Sequence, residues 1–445
     1  MGSGYSKTIQ DLEKNDQGKA ELDFTDSNLG DAKLQKVAEA LHKNSSVRKI
    51  NLSGTNMSDI GARYISDALA HKLTPTNVTT IIFDKNPIGP DGGQYLATAL
   101  KQCLSLNTVK LNNCALGDNG AIAIANSLVN NDHIVTLELG NNLIGDQAAR
   151  AFSRAFERND CLEGLSLWKN AILSAGAQYL AEGLTRNRTL QWLGLGGNKI
   201  GPDGALSFAQ QLGHMRIHWL GLGGNSLTDQ GIIYIASALK DDGCDLQSIG
   251  LGGNGITDHG VEKLARALWT NTRLESLGLG GNEISTEGCE FFSEMLRVNT
   301  TLKKLILSSN LVDDDGLRAL ADGLTVNNTL ETLLVAANPF TDVGALYLAD
   351  ILCRSNTCLQ VLDIHDADMS PAGEQQVVDQ LRKDSSLHFL GSFYGPRDHR
   401  IITVDGASNV ARRRKEARRA EAHAAVNQYV EDQMVPSNMR EHEVF

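Results

Sequence analysis

The amino-acid sequence predicts an α/β solenoid made of repeated strand–turn–helix units, and three observations lead to this prediction. An asparagine recurs at a near-constant spacing, a short alternating apolar pattern precedes it, and a longer apolar pattern of helical period follows it. A fixed period of roughly 20–50 residues is typical of repeat proteins, in which each unit buries its apolar face against its neighbours. We therefore expect one continuous core and not several separate domains.

The recurring asparagines are separated by 28, 28, 27, 29, 28, 28 and 28 residues from Asn142 onward. The series consists of Asn86, Asn142, Asn170, Asn198, Asn225, Asn254, Asn282, Asn310 and Asn338. Cys114 lies midway between the first two members. Where the chain turns inward after a strand, buried backbone groups lack partners, and an amide side chain offers both donors and an acceptor. We interpret the series as structural, with each amide bridging neighbouring units.

Each unit begins with the pattern Leu-x-x-Leu-x-Leu, as in residues 162–167 and 302–307. Its alternating end predicts a short strand with one buried face. The turn after the asparagine leads into apolar residues at helical spacing, such as Ala148, Phe152 and Phe156. Weaker copies of the pattern extend the array, so the predicted domains are a leader (1–19), a solenoid (20–395) and a basic, helical C-terminal tail (396–445).

These repeats resemble the ribonuclease-inhibitor class of leucine-rich repeats, seen in ribonuclease inhibitor, in the GTPase-activating protein of Ran and in the sensor arm of NOD-like receptors. The resemblance extends from about Ala20 to about Phe393, which is more than four-fifths of the chain. It implies a leucine-rich-repeat solenoid shaped as a horseshoe, with parallel strands on the concave face and helices on the convex face. It also implies a protein that binds other macromolecules and is not an enzyme.

Composition and charge limit the function classes further. A net charge of -12 and a pI near 5.4 argue against a chain that binds nucleic acid over its whole surface. Seven scattered cysteines form no disulfide framework and indicate a reducing compartment. Because the N-terminus lacks the apolar stretch of a secretory signal, we expect a cytoplasmic protein.

The concave face can be predicted from the same pattern, because its third, fifth and seventh positions alternate with core-facing residues. In five successive units these positions hold only glycine, serine and tryptophan, without a charge. Glycine weakens a strand and often marks close approach by another backbone. We predict that a partner helix or extended peptide packs here on Trp168, Trp192, Trp219, Gly194, Gly221, Gly250 and Gly278. The alternative left open is that repeat duplication merely copied the glycines.

Two motifs resemble known ligand-binding patterns, but their positions in the repeat argue against such roles. Residues 250–255 match the dinucleotide fingerprint G-x-G-x-x-G, but Gly250 lies inside the strand pattern and a solenoid lacks the doubly wound sheet that positions a pyrophosphate. His214 and His218 have the spacing of a helical metal pair, but their segment runs from a helix into a strand. We therefore expect no cofactor, no metal and no catalytic residues.

Two other functions remain as alternatives to a protein-binding adaptor. A regulator of a small GTPase would resemble the GTPase-activating protein of Ran, although the corresponding insertion at residues 73–77 contains no arginine and the C-terminal tail is basic. A detached sensor arm like that of NOD-like receptors would lack its nucleotide-binding module. Repeat proteins of this kind occur in ciliary and flagellar assemblies, so the resemblance also suggests a cytoskeletal or axonemal setting.

The two ends of the chain carry signals of their own. The N-terminal sequence fits the N-myristoylation pattern, with Gly2 exposed after removal of methionine and serine at the sixth position. One acyl chain holds a membrane only marginally, so a second signal is required. The tail could supply it, or could bind RNA or an acidic protein surface, through Arg412, Arg413, Arg414, Lys415, Arg418 and Arg419.

Overall fold

The computed structural model describes residues 2–15, 20–42, 44–70, 77–240, 243–384, 387, 389–393 and 399–403. The chain divides into two compact units. Unit 1 comprises Met1–Ile200 and His214–Ile217, and unit 2 comprises Gly201–Gly213 and His218–Phe445. No helix within the described part combines the length and the apolar character needed to cross a membrane.

Unit 1 alternates helices with short strands that pair in parallel and in chain order. Its strands β1 to β7 are Glu21–Asp23, Lys49–Asn51, Thr80–Ile82, Thr108–Lys110, Thr136–Glu138, Gly164–Ser166 and Trp192–Gly194. Its helices α1 to α7 are Gly2–Glu13, Gly30–Leu41, Asp59–Leu69, Gly89–Gln102, Gly117–Leu128, Asp146–Phe156 and Ser174–Leu184.

Unit 2 repeats the same alternation, and its last strand pairs antiparallel. Its strands β8 to β15 are Trp219–Gly221, Ser248–Gly250, Ser276–Gly278, Lys304–Ile306, Thr332–Leu334, Val361–Asp363, Phe389–Phe393 and His399–Thr403. Its helices α8 to α14 are Gly201–Gln211, Thr228–Leu239, Asp258–Leu268, Thr286–Leu296, Asp314–Leu324, Asp342–Arg354 and Pro371–Asp384, with a short 3₁₀ turn at Leu212–His214.

The core lies between strands and helices in each unit. The first, fourth and sixth positions of the leucine pattern are buried, as Leu302, Leu305 and Leu307 show at 0–1% exposure, and helix residues such as Phe292 are fully buried as well. The opposite face of each sheet, which carries the third, fifth and seventh positions, is called the strand face below. The predicted α/β solenoid of parallel strands and helices is confirmed.

The asparagine series forms the hydrogen-bonded ladder that the sequence predicts. Asn254 is 2% exposed, and its amide nitrogen donates to the carbonyl oxygens of Leu222 at 3.1 Å and Leu251 at 2.9 Å. Its side-chain oxygen accepts from the backbone nitrogens of Asn225 at 2.8 Å and Leu227 at 3.2 Å. The Asn254 side chain thus satisfies backbone groups of its own repeat and of the preceding one.

Cys114 takes the place of an asparagine by using its thiol as a donor. The sulfur donates to the carbonyl oxygens of Phe83 and Asn112, both at 3.4 Å. Burial raises the pKa of the Cys114 thiol, which therefore keeps its proton and its donor role.

A second asparagine series, which is not among the predictions above, lies three residues before the first leucine of each pattern. The Asn299 amide nitrogen donates to the carbonyl oxygens of Leu268 at 2.7 Å and Asn271 at 3.2 Å. Its oxygen accepts from the backbone nitrogens of Thr301 at 3.0 Å and Leu302 at 2.8 Å. Buried equivalents are Asn44, Asn131, Asn159, Asn187, Asn271, Asn327 and Asn356. The signal was visible in the sequence as a recurring Asn-x-x-Leu, Asn-x-x-Ile or Asn-x-x-Val.

An aspartate in the first turn of many helices caps the next helix along the chain. Asp229 accepts from the Thr257 backbone nitrogen at 2.8 Å, the Thr257 hydroxyl at 2.7 Å and the Gly260 backbone nitrogen at 3.2 Å. A Cβ on Gly260 would lie 2.5 Å from the Asp229 Oδ1 atom. The carboxylate therefore explains why the first turn of α10 carries glycine, which otherwise disfavours a helix.

Regular secondary structure continues beyond both predicted ends of the solenoid, residues 20 and 395. Residues 2–13, within the predicted leader, form α1, whose Leu12 is 1% exposed and whose Tyr5 hydroxyl donates to the Lys33 carbonyl at 2.8 Å. At the other end β15 pairs with β14 inside the region assigned to a helical tail. The apolar pair Ile401 and Ile402 suits an edge strand, so the sheet of unit 2 continues past residue 395.

Candidate protein-binding surface

The strand face of unit 1 carries two tryptophans that lie against glycines of neighbouring strands. The Trp168 ring occupies the space that a Gly140 side chain would need, and the Trp192 ring does the same at Gly164. Trp168 is only 5% exposed, whereas Trp192 is half-buried. Trp168, which the sequence predicts as a partner anchor, therefore leaves little of its ring exposed, because its indole fills the space beside Gly140.

A polar cluster precedes these tryptophans on the strand face of unit 1. The Asn112 side chain donates to Glu138 at 2.9 Å, and its backbone nitrogen donates to Asp84 at 2.8 Å. Lys110 forms an ion pair with Glu138 at 2.8 Å. Burial, with the nearby charge of Glu138, raises the pKa of the Asp84 carboxyl in spite of its hydrogen bonds from Asn112. The members of this cluster bind one another, and the cluster differs in charge from Trp219, Gly221, Gly250 and Gly278, with which the strand face of unit 2 begins.

The strand face of unit 2 begins with Trp219, Gly221, Gly250 and Gly278, which we call the glycine strip. Neither Gly250 nor Gly278 has a positive φ. A Cβ on Gly250 would meet only the Gly221 Cα at 3.8 Å, and one on Gly278 would meet nothing closer than 3.6 Å. Both positions thus have room for a side chain, although glycine costs about 0.5–1 kcal/mol relative to alanine in a strand. The fold itself does not require glycine at either position.

Other glycines of the same units are required by the packing. A Cβ on Gly252 would lie 2.7 Å from the Gly280 carbonyl oxygen, and one on Gly223 would lie 3.1 Å from the Gly252 oxygen. These seventh-position glycines allow neighbouring turns to approach closely. Gly194 in unit 1 and Gly221 in unit 2 are both buried.

The strand face of unit 2 becomes apolar and then charged beyond the glycine strip. Ile306, Leu334 and Ala336 are 1–3% exposed, and Asp363 and His365 follow on β13 and in the turn after it. Ile306 and Leu334 hold the fifth position of the leucine pattern, and this position is the signal in the sequence that places them on the strand face.

The His365 imidazole forms a hydrogen bond with Asp363 at 2.5 Å. Burial lowers the pKa of His365, but the hydrogen bond to Asp363 and the charges of Asp363 and Asp366 outweigh it, so the net shift is upward. A raised histidine pKa stabilises the fold below the unfolded value near 6.5, and the stabilisation is lost as pH rises through the folded value. We expect His365→Gln to destabilise the protein more at pH 5.5 than at pH 8.5 in denaturant titrations. An equal effect at both pH values would contradict this assignment.

Three backbone nitrogens of the dinucleotide fingerprint at residues 250–255 already donate hydrogen bonds to the next repeat. The backbone nitrogens of Leu251 and Gly253 donate to Gly278 at 2.7 Å and Gly280 at 2.9 Å, and that of Asn254 donates to Asn282 at 2.9 Å. Because these amides hold the next repeat, they do not form a phosphate cradle.

The remaining sequence candidates lie on the surface or outside the described residues. His214 and His218 are exposed, and the described part of the chain contains no group of three or more residues suited to hold a metal. The loop weighed for GTPase regulation falls largely in residues 71–76, and the six basic residues of the tail fall after Thr403; both lie outside the described ranges. Gly2 is the first residue of α1.

Comparison with known families identifies the repeat. Seven segments match a family model described as "Leucine Rich repeat", at residues 43–66, 102–125, 186–209, 244–265, 270–293, 298–321 and 326–349. These seven segments of the chain therefore match leucine-rich repeats, in agreement with the α/β solenoid described above. Leucine-rich-repeat proteins are generally binding scaffolds and not enzymes, so protein binding is the activity class that the repeats indicate.

Three solved structures are among those to which the chain is similar. The yeast Rad7 and Elc1 complex matches at 18% identity and a TM-score of 0.49, covering 85% of this chain and 86% of that one. An internalin from Listeria monocytogenes matches at 18% identity and 0.45, covering 87% and 98%. The actin-binding site 2 of leiomodin-1 matches at 22% identity and 0.30, covering 34% and 86%.

Proposed function

We propose that the protein is a non-enzymatic scaffold or adaptor that binds a partner protein on the strand face of unit 2, at the glycine strip. One observation carries the proposal: Gly250 and Gly278 have space for side chains and ordinary backbone conformations, yet both are glycine. A surface that keeps glycine without a packing need suits close approach by another backbone. The favoured partner element is a helix or an extended peptide.

The chemistry around the glycine strip fits a protein partner. Trp219 lies at one side of the strip, is half-buried and offers a large apolar surface. Tryptophan is among the residue types most enriched at the anchor positions of protein interfaces. The strip itself carries no charge, whereas Lys304 and Asp363 lie further along the strand face. An apolar centre with polar surroundings is the usual arrangement of protein interfaces. In unit 1, Trp192 with Gly194 is the corresponding candidate contact.

The test is to place a long charged side chain on the strip without touching the core. Gly250→Arg and Gly278→Arg should each reduce recovery of the partner at least tenfold, since an arginine in a close contact costs more than about 1.4 kcal/mol. Recovery would be measured by affinity capture from native extract with quantitative mass spectrometry. Cross-linking of the native protein would name the partner and locate its contact.

Thr272→Arg is the matched control, because it adds the same charge at an exposed position in the loop before β10. It should leave capture unchanged, and all three variants should keep the circular dichroism spectrum of the parent. If Gly250→Arg and Gly278→Arg captured the same proteins in the same amounts as Thr272→Arg, the glycine strip would not be the binding surface.

We infer further that the repeats are of the ribonuclease-inhibitor type, supported by the period near 28 residues and by the α-helix in nearly every repeat. By that resemblance the setting is a cytosolic or cytoskeletal assembly, including a ciliary or flagellar axoneme. The basic tail would then dock on an anionic surface, for which an acidic protein, an anionic membrane and RNA are the candidates.

N-myristoylation of Gly2 is a separate proposal, which rests on the sequence pattern. The intact mass of protein purified from its native cell should exceed that of the unmodified chain, after removal of Met1, by one myristoyl group. The Gly2→Ala variant, which cannot accept the acyl chain, should show the unmodified mass. A native mass equal to that of the unacylated chain without Met1 would contradict this proposal.

A further inference from the structure

Two exposed leucines lie in neighbouring turns of unit 1, at the edge where α6 and α7 begin. Leu143 is 70% exposed and Leu173 is 48% exposed. Hydrogen bonds join the two turns: the Ala171 backbone nitrogen donates to the Ile144 carbonyl oxygen at 2.7 Å, and the Leu173 backbone nitrogen donates to Asp146 at 2.8 Å. Leu143, Ala171 and Leu173, which are all exposed, therefore belong to one apolar surface, called the leucine edge below.

Leu143 occupies a position that suits a small residue better. Its φ is +60°, in the left-handed region that a bulky side chain disfavours. The equivalent residues of three other repeats also have a positive φ, and they are Ala115, Ser226 and Gly255. No other large apolar side chain has a positive φ among the described residues. The turn itself therefore gives no reason for a leucine at this position.

Leu173 breaks a different local preference. It is the residue before α7, where it makes no side-chain hydrogen bond to the helix. In other repeats this position holds Thr257, Asp313 or Thr341, and each accepts a hydrogen bond from a backbone nitrogen of its helix. Such capping residues stabilise a helix, and leucine does not. Since residues that oppose the local structure without a packing gain concentrate at functional sites, both leucines indicate a contact with another molecule.

Two lysines give the leucine edge a positive rim. The Lys199 backbone nitrogen donates to the Ile172 carbonyl oxygen at 3.0 Å, which places Lys199 beside the turn that contains Leu173. Lys169 precedes the same turn, and its ammonium lies 5.5 Å from the centre of the Trp168 ring. Both lysines are exposed, and neither forms an ion pair within the part of the chain that the structure describes.

We propose that the leucine edge is a second binding surface, which takes a segment of a partner protein with apolar side chains flanked by acidic ones. The apolar side chains of the segment cover Leu143 and Leu173, and its carboxylates pair with Lys169 and Lys199. An apolar centre with a charged rim is the usual arrangement of a protein interface. This surface is additional to the glycine strip of unit 2, and an adaptor requires contacts with more than one partner.

The charges of the leucine edge favour an acidic protein segment over a lipid surface. Asp118 and Asp146, the acidic residues of these turns, are partly buried and accept hydrogen bonds from the backbone nitrogens of Gly145 at 2.7 Å and Leu173 at 2.8 Å. The lysines are left without such partners. Binding to an anionic membrane usually takes a cluster of about four to eight basic residues. Two lysines are enough to orient a segment by paired contacts with its carboxylates.

Selection of peptides on the full-length chain tests the proposal. A phage-displayed library of random peptides, each long enough for about four helical turns, is selected on the parent chain and on a Leu143→Gly, Leu173→Ser double variant. Peptides enriched on the parent alone should combine apolar residues with flanking Asp or Glu. A synthetic copy of the most enriched peptide should bind the double variant at least about tenfold more weakly, since two leucine contacts are lost. Fluorescence anisotropy measures this affinity.

Leu104→Ser is the matched control, because Leu104 is a leucine of unit 1 that is 72% exposed in the loop after α4. This variant and Gly250→Arg should both bind the peptide as the parent does. Lys169→Glu and Lys199→Glu should each weaken binding several-fold, and more at low than at high salt. The double variant should unfold at the temperature of the parent or above it, because glycine accepts the positive φ and serine caps α7.

Several results would overturn this proposal. Enriched peptides that are basic, or that bind the double variant as tightly as the parent, would reject the acidic segment. A large loss of thermal stability in the double variant would show that the leucines are structural. Binding of the unacylated chain to equimolar phosphatidylcholine and phosphatidylserine vesicles, if lost in the double variant, would assign the edge to a membrane. Self-association in sedimentation equilibrium, if lost in the same variant, would assign it to a second copy of this chain.

Discussion

Replacing Asn254 with alanine is expected to lower the free energy of unfolding by about 3–6 kcal/mol. The change removes the acceptor for two buried backbone nitrogens and the donor for the carbonyls of Leu222 and Leu251. Each buried polar group left without a partner costs about 1–3 kcal/mol. Denaturant titration followed by circular dichroism measures the loss, and hydrogen exchange should show the largest effect in the repeats next to Asn254.

Asn328→Ala is the control for this experiment, because Asn328 is exposed and only its weak contact with the Val326 carbonyl, at 3.3 Å, would be lost. It should change the free energy of unfolding by less than about 0.5 kcal/mol. If the two variants lost similar stability, the buried ladder would not be a main source of cohesion between repeats.

Gly260→Ala is expected to destabilise the protein by about 2–4 kcal/mol, opposite to the usual effect in a helix. Glycine-to-alanine changes in helices ordinarily gain about 1 kcal/mol. Here the new Cβ would lie 2.5 Å from the Asp229 Oδ1 atom and 3.1 Å from the Ile256 Cγ2 atom. Overpacking and displacement of a carboxylate that accepts three hydrogen bonds both oppose the helical gain.

A double-mutant cycle identifies the carboxylate as the cause. Asp229→Ala alone should destabilise the protein because it leaves the Thr257 and Gly260 amides without their acceptor. In that background Gly260→Ala should cost at least 1 kcal/mol less than in the parent chain, since the clash with Asp229 is gone. Additive effects of the two substitutions would show that Asp229 does not constrain residue 260.

Much of the fold could be predicted because the same structural requirements recur in each repeat. The 28-residue spacing of the asparagines, the leucine pattern before them and the helical period after them each recur. Asn254 and its equivalents were assigned correctly as structural, and Cys114 was placed in the same series. The second asparagine series, represented by Asn299, is equally periodic but lies before the leucine pattern from which the strands were predicted.

The candidate binding surface could be predicted only in part, because exposure depends on what neighbouring strands leave open. The sequence placed Trp168 and Trp192 on the same face, but only the packing distinguishes them. Trp168 lies buried against Gly140, whereas Trp192 keeps part of its ring exposed against Gly164. Likewise, Gly250 and Gly252 look alike in the sequence, and only the second lies against a neighbouring carbonyl oxygen.

The sequence by itself determined the repeat length, the α/β class, the core-facing leucines and the role of the buried asparagines. These follow from local periodicity, since each repeat must satisfy its own strand, turn and helix. Only the tertiary structure decided which glycines are free of packing constraints, which tryptophan is buried, and that α1 and β15 extend the two ends. Those properties depend on how atoms of other repeats pack around a given residue. A local sequence pattern does not contain that information.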